Sequence, residues 1–239
     1  MYNPHFSFLG FRGDIVLLFI SDLHADEDQR RIYWLAELVK QLKPDLLISL
    51  GDLGYEPDKA LIAKLILSRV PLRAIYGNHD NVVWMENQFN FDGSRVLIED
   101  GKIIEAVGFR LGFVNGIISR RRRSRRGVPR KRPEEFLEIA RGLKGISILC
   151  IHEFPAPDEL LDSGILHAPA FTAREAVRIV NPKLALCGHI HYYRVEPKVY
   201  HVGNTKLIVI DSTEKSYAIL DKRKIRLMKN GKEILAVKL

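Results

Sequence analysis

The chain is punctuated by short, largely apolar runs that each stop abruptly at Asp, Asn, His or Gly. The runs cover residues 15–21, 46–50, 72–76, 146–151 and 184–187. They are too short for spanning helices and, apart from Arg73 and three serines, too apolar to have a wet face, so they read as strands buried on both sides. Between the first two, Ile32, Leu35, Leu38, Val39 and Leu42 recur at helical spacing, and Pro44 closes that helix. Leu61, Ile62, Leu65 and Ile66 repeat the pattern before the third run. Alternating strands and helices of this kind predict a parallel α/β sheet.

Further along, residues 102–107 and 109–114 read as paired strands, and helices are expected near 134–143 and 173–180. Residues 206–210 and 217–220 read as a hairpin. Asn230-Gly231 between two alternating segments signals a type I′ turn. With no repeat and no Pro/Gly/Ser-rich seam, a single domain over 1–239 is expected.

Charge is localised. The net charge is +8, yet nine Lys and Arg fall between Arg120 and Arg132 with no acid among them, so the remainder carries about −1. This excludes a protein that is basic throughout. A charged fraction of 28% and an apolar stretch at the start far too short for a bilayer exclude a membrane protein. Arg12 and Asp14 interrupt the N-terminal hydrophobic run, which makes it a poor secretory signal. Cys150 and Cys187 are too few for a disulfide framework and sit in strand-like runs, as buried thiols do. A cytoplasmic location is expected.

The polar residues at the run ends carry the chemistry. They are Asp22-Leu23-His24, Gly51-Asp52, Gly77-Asn78-His79-Asp80, His152-Glu153 and Gly188-His189-Ile190-His191. The C-terminal ends of parallel strands share one sheet edge, where ligands bind. Five of the eight histidines fall in these clusters. One strand-end histidine is ordinarily structural; five beside aspartates and an asparagine point to a metal site. A phosphoester resists attack by water because its phosphorus is already anionic. Two divalent ions about 4 Å apart ionise a bridging water and neutralise the attacking and leaving oxygens. Imidazole and oxygen donors without thiolate suit Mn best, with Fe, Zn, Ni and Co as alternatives. Two aspartates and a hydroxide against two divalent ions leave one net positive charge, enough to attract phosphate without arginine.

The ordered set Asp22-x-His24, Gly51-Asp52, Gly77-Asn78-His79-Asp80, His152 and Gly188-His189-x-His191 resembles the calcineurin-like metallophosphoesterases. The resemblance implies a four-layer α-β-β-α sandwich with mixed β-sheets and a dinuclear site at strand C-terminal ends. It implies that Asp22, His24 and His191 hold one metal, that Asn78, His152 and His189 hold the other, and that Asp52 bridges both. It makes His79 the general acid toward the leaving oxygen, with Asp80 orienting it. The implied activity is metal-dependent phosphoester hydrolysis, more in the manner of a phosphodiesterase than a monoesterase, by in-line attack of a metal-bridging hydroxide.

This chain departs from the pattern at two points. Tyr55 stands where the family often has a second acid after the bridging aspartate. Glu56-Pro57 replaces the Arg-Gly of the Ser/Thr protein phosphatases, which argues against that activity.

Around this core, Asn81, Asn115, Arg120 and Arg121 are candidates for substrate binding. Glu153 reads equally well as a partner to a ligand histidine or as a surface acid. The arginine run supports a second function: a nuclease or nucleic-acid-binding protein that grips nucleic acid or nucleotide through residues 120–132. The run itself has no interleaved aromatic residues for base stacking.

Overall fold

A computed structural model describes residues 16–122, 124 and 126–239. The start of the first run, Arg12, Asp14, Arg123 and Arg125 lie outside the described residues. In chain order the elements are β1 (Val16–Ile20), α1 (Arg30–Leu42), β2 (Leu46–Ser49), α2 (Lys59–Ile62), β3 (Leu72–Ala74), α3 (Val82–Glu86), β4 (Ile103–Ala106) and β5 (Phe109–Val114). There follow α4 (Pro133–Gly142), β6 (Ile148–Ile151), α5 (Ala168–Val180), β7 (Leu184–Cys187) and β8 (Val199–Val202). The chain ends with β9 (Thr205–Val209), β10 (Ser216–Asp221), β11 (Lys224–Lys229) and β12 (Lys232–Lys238).

The strands make two six-stranded sheets, ordered β12-β11-β10-β1-β2-β3 and β4-β5-β6-β7-β9-β8. β1, β2 and β3 are parallel, and so are β5, β6, β7 and β9; the remaining pairings are antiparallel. Both sheets are therefore mixed.

Strand periodicity explains the layering. Side chains alternate between sheet faces, and in the central strands both faces are apolar. Leu17 and Phe19 of β1 point into the core between the sheets, with Ile48, Phe113, Cys150, Leu186 and Ile208. Leu18 and Ile20 point the other way, onto Ile32, Leu35 and Val39 of α1 and Ile62 of α2. The second sheet repeats this with Leu149 and Ala185 against Phe136 of α4 and Ala173 and Val177 of α5. The result is the helix, sheet, sheet, helix sandwich that the resemblance implies. Cys150 and Cys187 are unpaired and buried, one in the middle core and one under the helices.

Two local expectations change. α2 is brief: Asp58 caps it by accepting from Leu61 N at 2.9 Å, and it widens into a π-helical turn over Ala63–Leu67. More consequentially, β9 and β10 are not a hairpin. β9 joins β7 in parallel, whereas β10 crosses to the other sheet and pairs with β1. A doubly buried strand reads the same whether its neighbour is parallel or antiparallel, and sequence proximity suggested the wrong one. Asn230 and Gly231, both at positive φ, close the β11–β12 hairpin as expected.

Candidate metal centre

The ends of β1, β2, β3, β6 and β7 meet at one edge, and the run-end residues converge there. The ligating atoms of Asp22, His24 and His191 all lie within 4.8 Å of one another, and those of Asp52, His152 and His189 do likewise. Asp52 Oδ2 faces both groups, 3.7 Å from His24 Nε2 and 3.3 Å from His152 Nε2. Asn78 Oδ1 lies 3.3 Å from His152 Nε2, within the second group.

The backbone is strained to bring this about. Asp22, His24, Asp52 and His189 all have positive φ, between 44° and 66°. Non-glycine residues rarely adopt this conformation, and it gathers at functional sites. Each residue sits in a sharp turn after its strand, which aims the side chain across the edge rather than along it. Two glycines make room. A β-carbon on Gly77 would overlap Asp52 Oδ1 and lie 2.6 Å from His152 Nε2, and one on Gly188 would overlap Ser21 Oγ and Asp22 Oδ2.

The donor set fits a pair of divalent transition ions. Both ring nitrogens of His24 are buried without a hydrogen bond, a costly state that a bound cation relieves. His152 Nδ1 donates to Leu50 O at 2.9 Å, which turns Nε2 toward Asp52 and Asn78. Burial alone would depress the His152 pKa, but the Asp52 charge overrides it and lifts it to about 10. Burial likewise works to raise Asp52, and His152 and His24 overcome it, holding that carboxyl well below the usual range. His189 is pushed down to about 4 by burial and by its neighbour His152.

Further residues converge that sequence reasoning passed over or left open. Asp211, at the end of β9, accepts from Tyr192 N at 2.9 Å and lies 3.3 Å from His191 Nδ1. It shows the same signal as the others, an acid directly after an apolar run, but the hairpin reading hid it. Glu153 is buried. Its Oε2 accepts from Ile118 N at 2.9 Å, while Oε1 has no hydrogen bond and faces His189 Nε2 at 3.8 Å. Burial pushes its pKa up to about 7. Tyr193 is 78% exposed and stacks on His191, with ring centroids 5.5 Å apart and planes 15° apart.

His79 stands exposed at the mouth, its ring 5.0 Å from that of His24. Its backbone N–H donates to Asp52 Oδ1 at 2.7 Å, fixing its root to the bridging carboxylate.

Three of the expected site residues bond to backbone N–H groups. Asp80 does not orient the His79 ring. It is fully buried and accepts the backbone N–H groups of Asp52, Leu53 and Gly77, each at 2.7 Å, and of Gly54 at 3.3 Å. It therefore holds together the two turns that present Asp52 and Asn78. Burial and the nearby Asp52 charge push its pKa up to about 7, against the pull of the Gly77 N–H. Asn115 is not at the substrate. It is buried, accepts from Tyr76 N at 2.9 Å and donates to Ile98 O at 2.9 Å. Asn81 caps α3 by accepting from Trp84 N at 3.0 Å.

The expected charge balance changes too. Asp80, Glu153 and Asp211 join Asp22 and Asp52 as buried carboxyls at the centre. Asp80 and Glu153, both pushed up to about 7, are only partly ionised near neutral pH, so the added negative charge falls well short of three.

The arginine run forms a loop at this edge. Gly116 N donates to Tyr76 O at 2.6 Å, next to the Gly77-Asn78 turn. Ile118 is tied to Glu153 as above, and Tyr55 Oη donates to Arg126 O at 2.9 Å on the far side. Not all of its charge is free. Lys131 is buried, with Nζ 2.9 Å from Asp100 Oδ2, donating to Asn115 O at 2.7 Å and to Tyr76 Oη at 3.2 Å. Arg122 pairs with Glu135 at 2.7 Å. Arg120 and Arg121 are exposed, as is Arg126, whose guanidinium lies 5.0 Å from the Tyr55 ring centroid.

Comparison with known proteins agrees with this architecture. A family model described as calcineurin-like phosphoesterase matches residues 15–193. Among curated protein sequences, none matches the chain. Among solved structures, TT1561 of Thermus thermophilus superposes with a TM-score of 0.66 at 16% identity, covering 90% of this chain and 99% of that one. A dimetal phosphatase from Danio rerio gives 0.58 at 10% identity, covering 94% and 98%. The purple acid phosphatase PPD1 of yellow lupin (Lupinus luteus) gives 0.58 at 12% identity, covering 95% of this chain and 53% of its own. At these identities the likeness is one of fold.

Proposed function

The chain belongs to the calcineurin-like phosphoesterases and is a phosphoric ester hydrolase, and we propose that it acts as a phosphodiesterase with His79 as the proton donor. The observation that carries the dinuclear reading is Asp52 Oδ2, set between His24 Nε2 at 3.7 Å and His152 Nε2 at 3.3 Å. Asp22, His24 and His191 would hold one ion and Asn78, His152 and His189 the other, with Asp52 shared. Imidazole and oxygen donors favour Mn, with Fe, Zn, Ni or Co as substitutes. When bound, the ions supply the charge that neutralises phosphoryl oxygens and acidifies water.

The chain's own residues do the rest. Asp80 locks the turns on which Asp52 and Asn78 ride. Asp211 lies 3.3 Å from His191 Nδ1 and orients that ring, while Glu153 faces His189 Nε2 at 3.8 Å. Water adds to phosphorus as the bond to the leaving oxygen breaks, and His79 delivers the proton which that oxygen takes away. A diester brings one negative charge to a centre already crowded with carboxylates, whereas a monoester brings two; this supports the diesterase reading. Two unpaired thiols suit a reducing compartment, and we place the protein in the cytoplasm as a single domain. Among the described residues, no helix is long and apolar enough to cross a membrane.

The test compares bis-p-nitrophenyl phosphate with p-nitrophenyl phosphate after loading with Mn²⁺. The diester is hydrolysed faster, and His79→Ala lowers its turnover by about 10²–10⁴-fold with metal content unchanged. No turnover with Mn, Ni, Co or Zn refutes the hydrolase reading. Faster monoester turnover refutes the diesterase reading.

A further inference from the structure

The strand order sets two features on opposite flanks of the metal centre. Across the sandwich, the edge that carries the centre runs from β3 and β5, through β2 and β6, to β1 and β7. The arginine loop leaves β5 and touches the turns after β3, β6 and β2 through Tyr76, Glu153 and Tyr55. Tyr193 lies on the turn after β7, at the other flank. One flank presents the exposed guanidinium groups of Arg120, Arg121 and Arg126. The other presents a flat aromatic ring, open to solvent and anchored by stacking on His191 and by the Arg194 guanidinium 5.6 Å from its centroid.

The two flanks make complementary demands. The exposed guanidinium groups of Arg120, Arg121 and Arg126 add positive charge beside the centre and draw in an anion. An exposed tyrosine stacked on a metal ligand offers its other face to a second π-system where the Arg194 guanidinium over the ring swings aside. A polymer of phosphodiesters bearing unpaired bases meets both demands, with the scissile phosphate lying between them. A duplex does not, because its bases are already stacked. Inorganic polyphosphate has no base for Tyr193.

Resting on the phosphodiesterase reading, we propose that the substrate is single-stranded nucleic acid, with backbone phosphates on Arg120, Arg121 and Arg126 and one unpaired base stacked on Tyr193. This arrangement supplies from another strand end the aromatic surface that the run lacks in its own sequence.

The test is binding, which needs no turnover. A fluorescent oligothymidylate of about 12 nucleotides, with cleavage-resistant phosphorothioate linkages, is titrated against the Mn²⁺-loaded protein at several KCl concentrations. Each phosphate contact on a single strand contributes about −0.7 to the slope of log affinity against log salt, so R120Q/R121Q/R126Q should flatten that slope by about 2. Its affinity should fall at least tenfold. Tyr193→Ala should weaken binding roughly tenfold, as loss of one stacked base does. Metal content, measured on every variant, checks that the fold is intact.

An unchanged slope and affinity in the triple variant overturns the proposal. So does tighter binding of a duplex, or full affinity in Tyr193→Ala with tripolyphosphate competing as well as the oligonucleotide. Absent turnover of bis-p-nitrophenyl phosphate removes cleavage of the strand, while these binding results separately decide whether single-stranded nucleic acid is the ligand.

Discussion

Gly77→Ala is the sharpest test of how the centre is assembled. Gly77 lacks the positive φ that would demand glycine, so alanine fits its backbone. The obstacle is purely steric. The added methyl overlaps Asp52 Oδ1 and lies 2.6 Å from both Nε2 and Cε1 of His152, where ordinary contact begins near 3.4 Å. The imidazole must retreat by about 0.8 Å and the carboxylate by more, against a site that tolerates ligand distances within only about 0.2 Å. Asp52 Oδ1 also accepts the part-buried His79 N–H, so displacing it breaks that bond.

Overpacking alone costs about 1–3 kcal/mol, and losing the His79 hydrogen bond adds about 1 kcal/mol, for a total of about 2–4 kcal/mol. The metal-free variant should therefore unfold in urea with about 2–4 kcal/mol less stability. Bound Mn²⁺, measured by elemental analysis after desalting, should fall from two equivalents to one or none. A Gly77→Ala protein that keeps two tightly bound ions refutes the placement of Asp52 between them.

Two other outcomes follow from the residues behind the ligands. Asp211→Ala frees His191 Nδ1 from its partner and should weaken metal binding roughly 10–100-fold by titration calorimetry, with Asp211→Asn intermediate. Glu153 has a folded-state pKa of about 7 against an ordinary 4.5, so the folded state binds its proton more tightly than the unfolded state. Its contribution to stability is complete below about pH 4.5 and is lost as pH rises to about 7, by roughly 3 kcal/mol at most. In chelator, native protein and Glu153→Gln should diverge over that interval, with the variant the more stable at pH 8. Parallel pH profiles refute the assignment.

Much of this was legible because buried parallel strands announce themselves. β1, β2, β3, β6 and β7 appear as apolar runs, and the residues after each run are the ones that converge. Three of the expected site residues share one feature. Asp80, Asn81 and Asn115 are of the residue types that ligands and substrates recruit, yet each satisfies backbone N–H groups that turns leave open. Sequence shows that such a residue stands in a turn, not which way its side chain faces. Asp211 was missed because β9 and β10 are close in sequence and far apart in the sheets. Lys131 is indistinguishable from its eight neighbours until the pocket of Asp100, Tyr76 and Asn115 closes around it.

That buried lysine has an evolutionary consequence. It fastens the root of the arginine loop to β3 and β5, and Glu153 fastens its other limb to β6. A loop secured at both feet is an interchangeable tool head. Its tip can be shortened, recharged or replaced while the catalytic edge beneath keeps its shape. Selection for a new substrate can therefore act on the exposed Arg120, Arg121 and Arg126 while the buried Val128 and Lys131 keep the loop seated.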